Sequence, residues 1–234
     1  MGSCCSKPIA SDDQNLKSST NLSPKTIEKS SKMVRIAVIF YSTYGHIYKM
    51  AQSVAKGINS VPGCEAVLLQ VQETLSSEVL AKMHAPPKPD VPVVDVNDLP
   101  SYDGFLFGIP TRFGMMAAQM KAMFDATGGH WQSGALVNKP AGIFFSTATQ
   151  NGGQETTAFT AVTQLAHHGM IFCPPGYSMP GGKLFGLDAP HGGSPWGAGT
   201  LAGPDGSRQP SELELEYAEH QGSHFAATAK KLAA

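Results

Sequence analysis

The residues best suited to chemistry are three consecutive hydroxyl side chains at the point where a strand pattern gives way to a helix pattern. Ser42, Thr43 and Tyr44 follow the apolar run of residues 34–41 and precede a helical repeat that starts near Ile47. Their hydroxyls, together with the amides of a helix N-terminus, would offer neutral hydrogen-bond donors to a phosphate dianion. A hydroxyl-rich turn of this kind is also typical of a plain helix N-cap.

The loops that bind phosphate in other nucleotide-binding proteins have different sequences. A nucleoside-triphosphate loop reads G-x-x-x-x-G-K-[ST] and a dinucleotide loop reads G-x-G-x-x-G, and neither pattern occurs at this turn. A neutral, hydroxyl-rich turn fits a monophosphate that needs no lysine. The cofactor that remains as an alternative is flavin mononucleotide (FMN).

Two further loops carry the polar and aromatic groups that a flavin ring requires. One spans residues 110–114, and the other spans residues 146–153 and contains no lysine or arginine. Arg112 could stabilise negative charge on a reduced flavin, Phe113 could cover a ring face, and the uncharged loop suits the ring or the ribityl chain. Taken alone, Arg112 could equally form a surface salt bridge and Phe113 a core contact.

Strand patterns alternate with helix patterns from residue 34 onwards. Apolar runs predict strands at residues 34–41, 66–71, 103–109, 141–145 and 170–173. Apolar residues spaced three and four apart predict helices at residues 47–58, 75–83, 116–124, 154–167 and 211–232. This order predicts an α/β fold with a doubly wound five-stranded parallel sheet and helices on both faces.

All three polar loops follow the carboxyl ends of predicted strands. In a doubly wound sheet, ligands bind outside those ends, near the point where the strand order reverses. We therefore expect the three loops to converge on one site.

Two stretches are predicted to lack regular structure. Residues 85–100 contain five prolines, and residues 176–206 contain ten glycines. Loops as long as the second are usually functional or disordered. The last helix opens with a capping-box pattern at Ser211 and Glu214, and its predicted buried stripe is Leu215, Ala218, Gly222, Phe225, Ala229 and Leu232.

The composition indicates an ordinary soluble domain of 234 residues, with 41% hydrophobic residues and a formal charge of −1. A near-neutral charge argues against nucleic-acid binding. It also argues against a small acidic electron carrier that docks to its partner through its net charge. The number and spacing of the four cysteines do not indicate a disulfide framework. Cys64 and Cys173 are predicted to be small residues of the core. No metal site is predicted.

Residues 1–32 differ in composition from the rest of the chain. Eight serines, five lysines and few large apolar side chains predict a disordered tether in front of an FMN-binding domain at residues 33–234. The first residues fit the pattern for N-myristoylation at Gly2, with Cys4 and Cys5 placed for palmitoylation; the alternative is a disordered start without function. If these residues are acylated, we expect a cytoplasmic, membrane-associated protein that two acyl groups hold on the plasma membrane.

Six segments of the chain resemble one family. They are S-T-Y-G-H-I at 42–47, G-I-P-T-R-F-G at 108–114, T-G-G-H-W-Q-S-G-A-L at 127–136, G-G-Q-E at 152–155, L-A-H-H-G-M at 165–170 and G-P-D-G-S-R-Q-P-S at 203–211. In this order they are similar to the WrbA-type NAD(P)H:quinone oxidoreductases, which are flavodoxin-like FMN enzymes. The resemblance covers residues 34–232, nearly the whole chain outside the tether.

The resemblance implies a role for each matching residue. The FMN phosphate would be held by Ser42, Thr43, Tyr44, Gly45, His46 and Ile47. The isoalloxazine would lie against Pro110, Thr111, Arg112, Phe113 and Gly114, with its polar edge at Ser146, Thr147, Ala148, Thr149, Gln150, Asn151 and Gly152. Tyr44 would also meet the nicotinamide, and the cavity over the flavin would be lined by Trp131, His167 and Tyr177.

The family also implies an assembly and a reaction. The assembly would be a homodimer or homotetramer in which a neighbouring subunit supplies Trp131. The reaction would be a ping-pong cycle in which NADH or NADPH gives a hydride to the flavin, leaves, and is replaced by a quinone that accepts two electrons. Met115 stands where the family commonly has asparagine, and the loop at 148–151 is one residue longer. The alternatives are a flavodoxin-type electron carrier and a membrane-tethered interaction protein with a weak flavin site.

Overall fold

A twisted sheet forms the centre of the molecule in the computed structural model, which describes residues 33–233. The sheet has five parallel strands in the order β2-β1-β3-β5-β6, with β4 antiparallel to β3 and β7 parallel to β5. The strands are β1 Val34–Phe40, β2 Cys64–Gln70, β3 Gly104–Arg112, β4 Met115–Met116, β5 Pro140–Thr147, β6 Ile171–Phe172 and β7 Gly199–Leu201. The predicted tether and the acylation sites Gly2, Cys4 and Cys5 lie outside the described residues.

Helices cover both faces of the sheet, as the sequence predicts. They are α1 His46–Asn59, α2 Ser77–Lys82, α3 Ala118–Asp125, α4 Gly128–Ser133, α5 Gln154–His167 and α6 Glu212–Leu232. Side chains alternate between the two faces of the sheet along β1, which explains the two layers of helices. Ile36 and Val38 pack with residues of α1 and α6. Ala37 and Ile39 pack with residues of α3 and α5 on the other face. Each face of the sheet therefore has its own apolar core.

Helices α1 and α6 approach each other through two glycines. A Cβ atom added at Gly57 would lie 1.9 Å from the carbonyl oxygen of Glu219, and one added at Gly222 would lie 2.1 Å from the carbonyl oxygen of Val54. Backbone atoms cannot rotate away as side-chain ends can. The two helices thus touch backbone to backbone, which fixes α6 against the helix that follows the hydroxyl-rich loop.

The fifth strand of the sheet is split into two halves. β6 pairs with Pro140 and Ala141 at the start of β5, and β7 pairs with residues 145–147 at its end. Residues 173–198 form an excursion between the halves. The prediction that residues 176–206 hold no regular element is wrong, because this stretch contains β7. It also contains a 3₁₀ segment at Pro180–Phe185, which is kinked at Gly181 and Gly182.

The structure corrects three further predictions. Pro110 does not end β3, which continues to Arg112 and turns back into β4, so Met116 lies in a strand instead of a helix. Residues 85–100 are not wholly irregular, because a 3₁₀ turn at Val96–Ser101 accommodates Pro100. In α6, Leu232 is exposed, and Tyr217 and Gln221 lie on the buried face instead.

The glycine crossing predicts that Gly222→Ala destabilises the fold. The new methyl group would press on the carbonyl of Val54, and overpacking of this kind costs about 1–3 kcal/mol or more, which lowers the melting temperature by several degrees. Gly129→Ala in α4 is the matched control, because nothing lies within 4 Å of the added Cβ and alanine is favoured over glycine in helices by roughly 1 kcal/mol. Equal melting temperatures of the two variants would contradict the close approach.

Candidate functional site

A cleft of 470 Å³ lies at the carboxyl ends of the central strands. Three of its walls are the three loops that the sequence predicts to converge. The predicted residues that line it are Ser42, Thr43, Tyr44, His46, Ile47, Pro110, Thr111, Arg112, Ser146, Thr147 and Ala148. The structure thus brings eleven of the predicted site residues to one place.

The loop between β1 and α1 ends in a left-handed turn at Gly45, with φ of 89°. The Gly45 amide donates to Ser42 Oγ at 3.1 Å, and the first intrahelical bond runs from Lys49 N to Gly45 O at 3.0 Å. The amides of the first turn of α1 precede that bond, so they have no acceptor within the helix. These amides and the hydroxyls of Ser42 and Thr43 form a neutral set of donors at the end of the cleft.

The second loop reaches across to the first through Arg112. The guanidinium donates from Nη2 to Thr43 Oγ1 at 3.2 Å and from Nη1 to the Thr111 carbonyl at 2.9 Å. Both acceptors are neutral, so the positive charge of Arg112 stays available at the cleft. Phe113 and Gly114 form the tip of the β3–β4 hairpin with φ of 52° and 75°, and the Phe113 ring is fully exposed, not a core contact.

The third loop is tied to α5 at its start. Gln154 Nε2 donates to Thr147 Oγ1 at 3.1 Å. A Cβ added at Gly153 would lie 2.9 Å from the Cα of Gly114, so the second and third loops also meet closely. Thr149, Gln150 and Asn151 face a separate cavity of 400 Å³ behind this loop.

A fourth wall of the cleft was not predicted as part of the site. It consists of Ala202, Gly203, Pro204, Asp205 and Gly206, directly after β7, and Met83 adds to the opposite rim. The amide of Ala202 donates to the Thr147 carbonyl at 2.8 Å, and the amide of Gly203 donates to the Ala148 carbonyl at 2.9 Å. The sequence did contain a signal for this wall. The segment G-P-D-G-S-R-Q-P-S at 203–211 resembles the family, but no role was assigned to it.

A half-buried carboxylate, Glu73, supports the first loop from below. Glu73 accepts hydrogen bonds from the Tyr41 hydroxyl at 3.0 Å and from Gln119 Nε2 at 3.2 Å, and it pairs with Lys88 Nζ at 2.6 Å. Lys88 Nζ also donates to the Ser42 carbonyl at 3.1 Å. Burial alone would raise the pKa of Glu73, but the bonds from Lys88, the backbone and Tyr41 outweigh it and lower the pKa to about 2.

None of the three residues predicted to line the cavity over the flavin lines the cleft of its own chain. His167 is the last residue of α5, whose first residue is beside the cleft, and a helix of 14 residues is about 21 Å long. Trp131 in α4 is 60% exposed and Tyr177 is 62% exposed, and neither lines the cleft. Gly45, Phe113, Gly114 and Gly152 flank the cleft in sequence without lining it.

Comparisons with known proteins agree with the geometry. Residues 34–183 match the family model described as NADPH-dependent FMN reductase. The chain is 59% identical over 198 residues to quinone-oxidoreductase QR2 of Triphysaria versicolor, covering 85% of this chain and 96% of that one. It is 52% identical over 194 residues to NAD(P)H quinone oxidoreductase PST2 of Candida albicans, covering 83% and 95%. A flavodoxin, WrbA-like protein from Agrobacterium tumefaciens has a similar fold, with a TM-score of 0.59 at 24% identity over 85% and 98% of the chains.

The Glu73 cluster predicts a defined dependence of stability on pH. The pKa of Glu73 is lowered from 4.5 to about 2 on folding, so its contribution is complete above the unfolded value and is lost as the pH falls towards 2. We expect Glu73→Gln to be about 2 kcal/mol less stable than the parent chain at neutral pH, with the difference vanishing near pH 2. Urea unfolding from pH 7 to pH 2 measures this, and a gap that is independent of pH would refute it.

Proposed function

The chain belongs to the NADPH-dependent FMN reductase family, and we propose that it is an FMN-dependent NAD(P)H:quinone oxidoreductase. The observation that carries the proposal is the convergence of the three polar loops on one cleft at the carboxyl ends of the strands. The names of the relatives from Triphysaria versicolor and Candida albicans give the substrate class, a quinone.

The residues of the cleft fit FMN. A dianionic phosphate suits the neutral donors of Ser42, Thr43 and the first turn of α1. Arg112 provides a positive charge for the edge of the ring, where negative charge develops on reduction. The volume of 470 Å³ lies within the usual range for small-molecule sites.

The reaction follows from the cofactor and from how the protein positions it. When bound, FMN would accept a hydride from NADH or NADPH and pass two electrons to a quinone. Arg112 is held at the cleft by its bonds to Thr43 and Thr111, so its guanidinium is already positioned there before FMN would bind. The cleft is open to solvent on one side, which allows the nucleotide and the quinone to occupy the same space in turn in a ping-pong cycle.

The cleft of a single chain offers few proton donors to the quinone. The hydrogen bonds from the Ser207 amide and hydroxyl hold the pKa of Asp205 below its usual value, so this carboxylate is ionised at neutral pH. The ring of His46 donates from Nε2 to the Arg208 carbonyl at 2.9 Å, because a carbonyl can only accept. The Tyr44 hydroxyl, which also lines the cleft, donates to the Met83 carbonyl at 3.1 Å. We propose that the proton comes from water or from a neighbouring subunit.

An assembly would bring the remaining residues to the cleft. We propose a homodimer or homotetramer in which Trp131, His167 and Tyr177 of one subunit face the flavin of another. Two facts support this. All three side chains are exposed, and none of them lines the cleft of its own chain.

The proposed activity is tested by an anaerobic cycle. The FMN-loaded protein should lose its flavin absorbance on addition of NADH or NADPH and regain it on addition of benzoquinone. Arg112→Met should slow the bleaching by tenfold or more, the size of effect expected for loss of one preorganised charge. Binding of FMN without reduction by either nucleotide would favour an electron carrier, and failure to bind FMN would favour a tethered interaction protein.

Membrane attachment is proposed on separate grounds. No helix among residues 33–233 is long and apolar enough to cross a membrane. The residues Gly2, Cys4 and Cys5 fit the sequence pattern of two acylation signals. We propose that these signals hold the protein on the cytoplasmic face of the plasma membrane.

The anchor predicts a change in distribution for Gly2→Ala. This variant cannot be myristoylated, so it should move from the membrane fraction to the soluble fraction after cell lysis. Ser3→Ala is the control, because it keeps the glycine at position 2. An unchanged distribution of Gly2→Ala would eliminate the lipid anchor without affecting the enzymatic proposal.

A further inference from the structure

We propose that Arg208 and Glu214 are positioning residues that set the phosphate end of the cleft. The proposal rests on the proposed FMN site and deepens it. Neither side chain lines the cleft. They act through the loop at residues 202–208 and through His46, the first residue of α1.

Glu214 is a carboxylate without exposed side-chain surface. Burial alone would raise its pKa, but hydrogen bonds from Arg208 and from the amides of Ser211 and Gly192 outweigh burial and lower the pKa. Its two oxygens accept from donors on four segments of the chain. The donors are the amides of Gly192 at 2.9 Å, Leu201 at 3.2 Å and Ser211 at 2.7 Å, the Thr200 hydroxyl at 3.0 Å, and Arg208 Nη1 at 3.1 and 2.9 Å.

Arg208 extends this network into the fourth wall. Its Nη1 also donates to the Leu201 carbonyl at 2.6 Å, and its Nη2 donates to the Pro190 carbonyl at 3.2 Å. Its own amide donates to the Ala202 carbonyl at 2.9 Å, which closes the loop that carries Gly203 and Gly206. The loop is therefore held from its base, so residues 202–206 can keep one position beside the third loop.

The network ends on the helix that would bind the phosphate. His46 donates from Nε2 to the Arg208 carbonyl at 2.9 Å, and the imidazole is buried. The amide of the same residue lies in the first turn of α1, among the proposed phosphate donors. Any shift of residue 208 is thus transmitted to the N-terminus of α1 by this partly buried hydrogen bond.

The pair of Arg208 and Glu214 positions the loop and helix α1, and it does not attract the phosphate by its charge. The guanidinium of Arg208 is paired with Glu214 at 2.9 Å, so its charge is already balanced. Replacing Glu214 by glutamine would leave the positive charge of Arg208 without a counter-charge, and this charge would strengthen phosphate binding at long range. Displacement of the loop and of α1 would weaken phosphate binding. The two effects have opposite signs, which makes the substitution informative.

Glutamine cannot reproduce the contacts of Glu214. Both carboxylate oxygens accept from at least two donors, so an NH₂ group in either place would face donors. Arg208→Lys is the second variant. It keeps the charge but loses the fork that reaches Glu214, Leu201 and Pro190 together. Gln209→Ala is the control, because it changes no charge and removes two exposed bonds, from Lys49 Nζ to Gln209 Oε1 and from Gln209 Nε2 to the Ser207 carbonyl.

The experiment compares FMN with riboflavin, which lacks the phosphate. Dissociation constants are measured by quenching of flavin fluorescence on the full chain freed of bound flavin, together with melting temperatures. The ratio of the riboflavin constant to the FMN constant isolates the phosphate contribution. We expect this ratio to fall about three- to tenfold in Glu214→Gln and Arg208→Lys, the factor that corresponds to one net hydrogen bond, and to stay unchanged in Gln209→Ala.

Each outcome decides one point. A lower ratio in both variants supports the positioning role. A parent-like ratio in either folded variant, even with a lower melting temperature, would overturn it and leave the pair a purely structural one. A ratio of one in the parent chain would overturn the phosphate site itself, and with it the proposed function on which the inference depends.

Discussion

The structure around the cleft depends on one buried carboxylate. Glu214 caps α6 through the Ser211 amide, fixes β7 through Thr200 and Leu201, and holds Arg208. A buried charge is tolerated only when it is paired and fully hydrogen-bonded, and five different residues meet that condition here. Because these donors come from separate parts of the chain, the carboxylate can be satisfied only when α6, β7 and the loop after β7 are assembled together.

The cleft is organised by hydrogen bonds between its own walls. Arg112 joins the second loop to Thr43 in the first, and Gly203 joins the fourth wall to Ala148 in the third. Loops that are already tied together lose less conformational entropy on ligand binding. Phe113 is the exception, because a bulky residue with φ of 52° and a fully exposed ring is neither relaxed nor packed. Its conformation leaves an exposed aromatic ring next in sequence to Arg112, which lines the cleft.

Sequence reasoning worked best where neighbouring residues decide the structure. The hydroxyl-rich turn at Ser42 and Thr43, the bounds of α5 and the capping box at Ser211 depend on patterns within a few residues. It failed at β7, which is only three residues long and includes Gly199. That strand is fixed by Gln154 Nε2, which donates to the Thr200 carbonyl, and by Glu214, and no local pattern reports such partners. The continuation of β3 past Pro110 was missed because proline usually signals the end of a strand.

The sequence by itself determined the α/β class, the order of the central elements and the three loops that meet at the cleft. Apolar periodicity specifies which segments form strands and helices, and parallel strands place all their carboxyl ends on one edge. Only the tertiary structure decided the fourth wall and the split fifth strand, and it showed that Trp131 and His167 do not line the cleft of their own chain. The physical reason is that buried polar groups such as Glu214 and Gln221 also bond partners outside their own helix, at Gly192 and Ile143, which periodicity cannot encode.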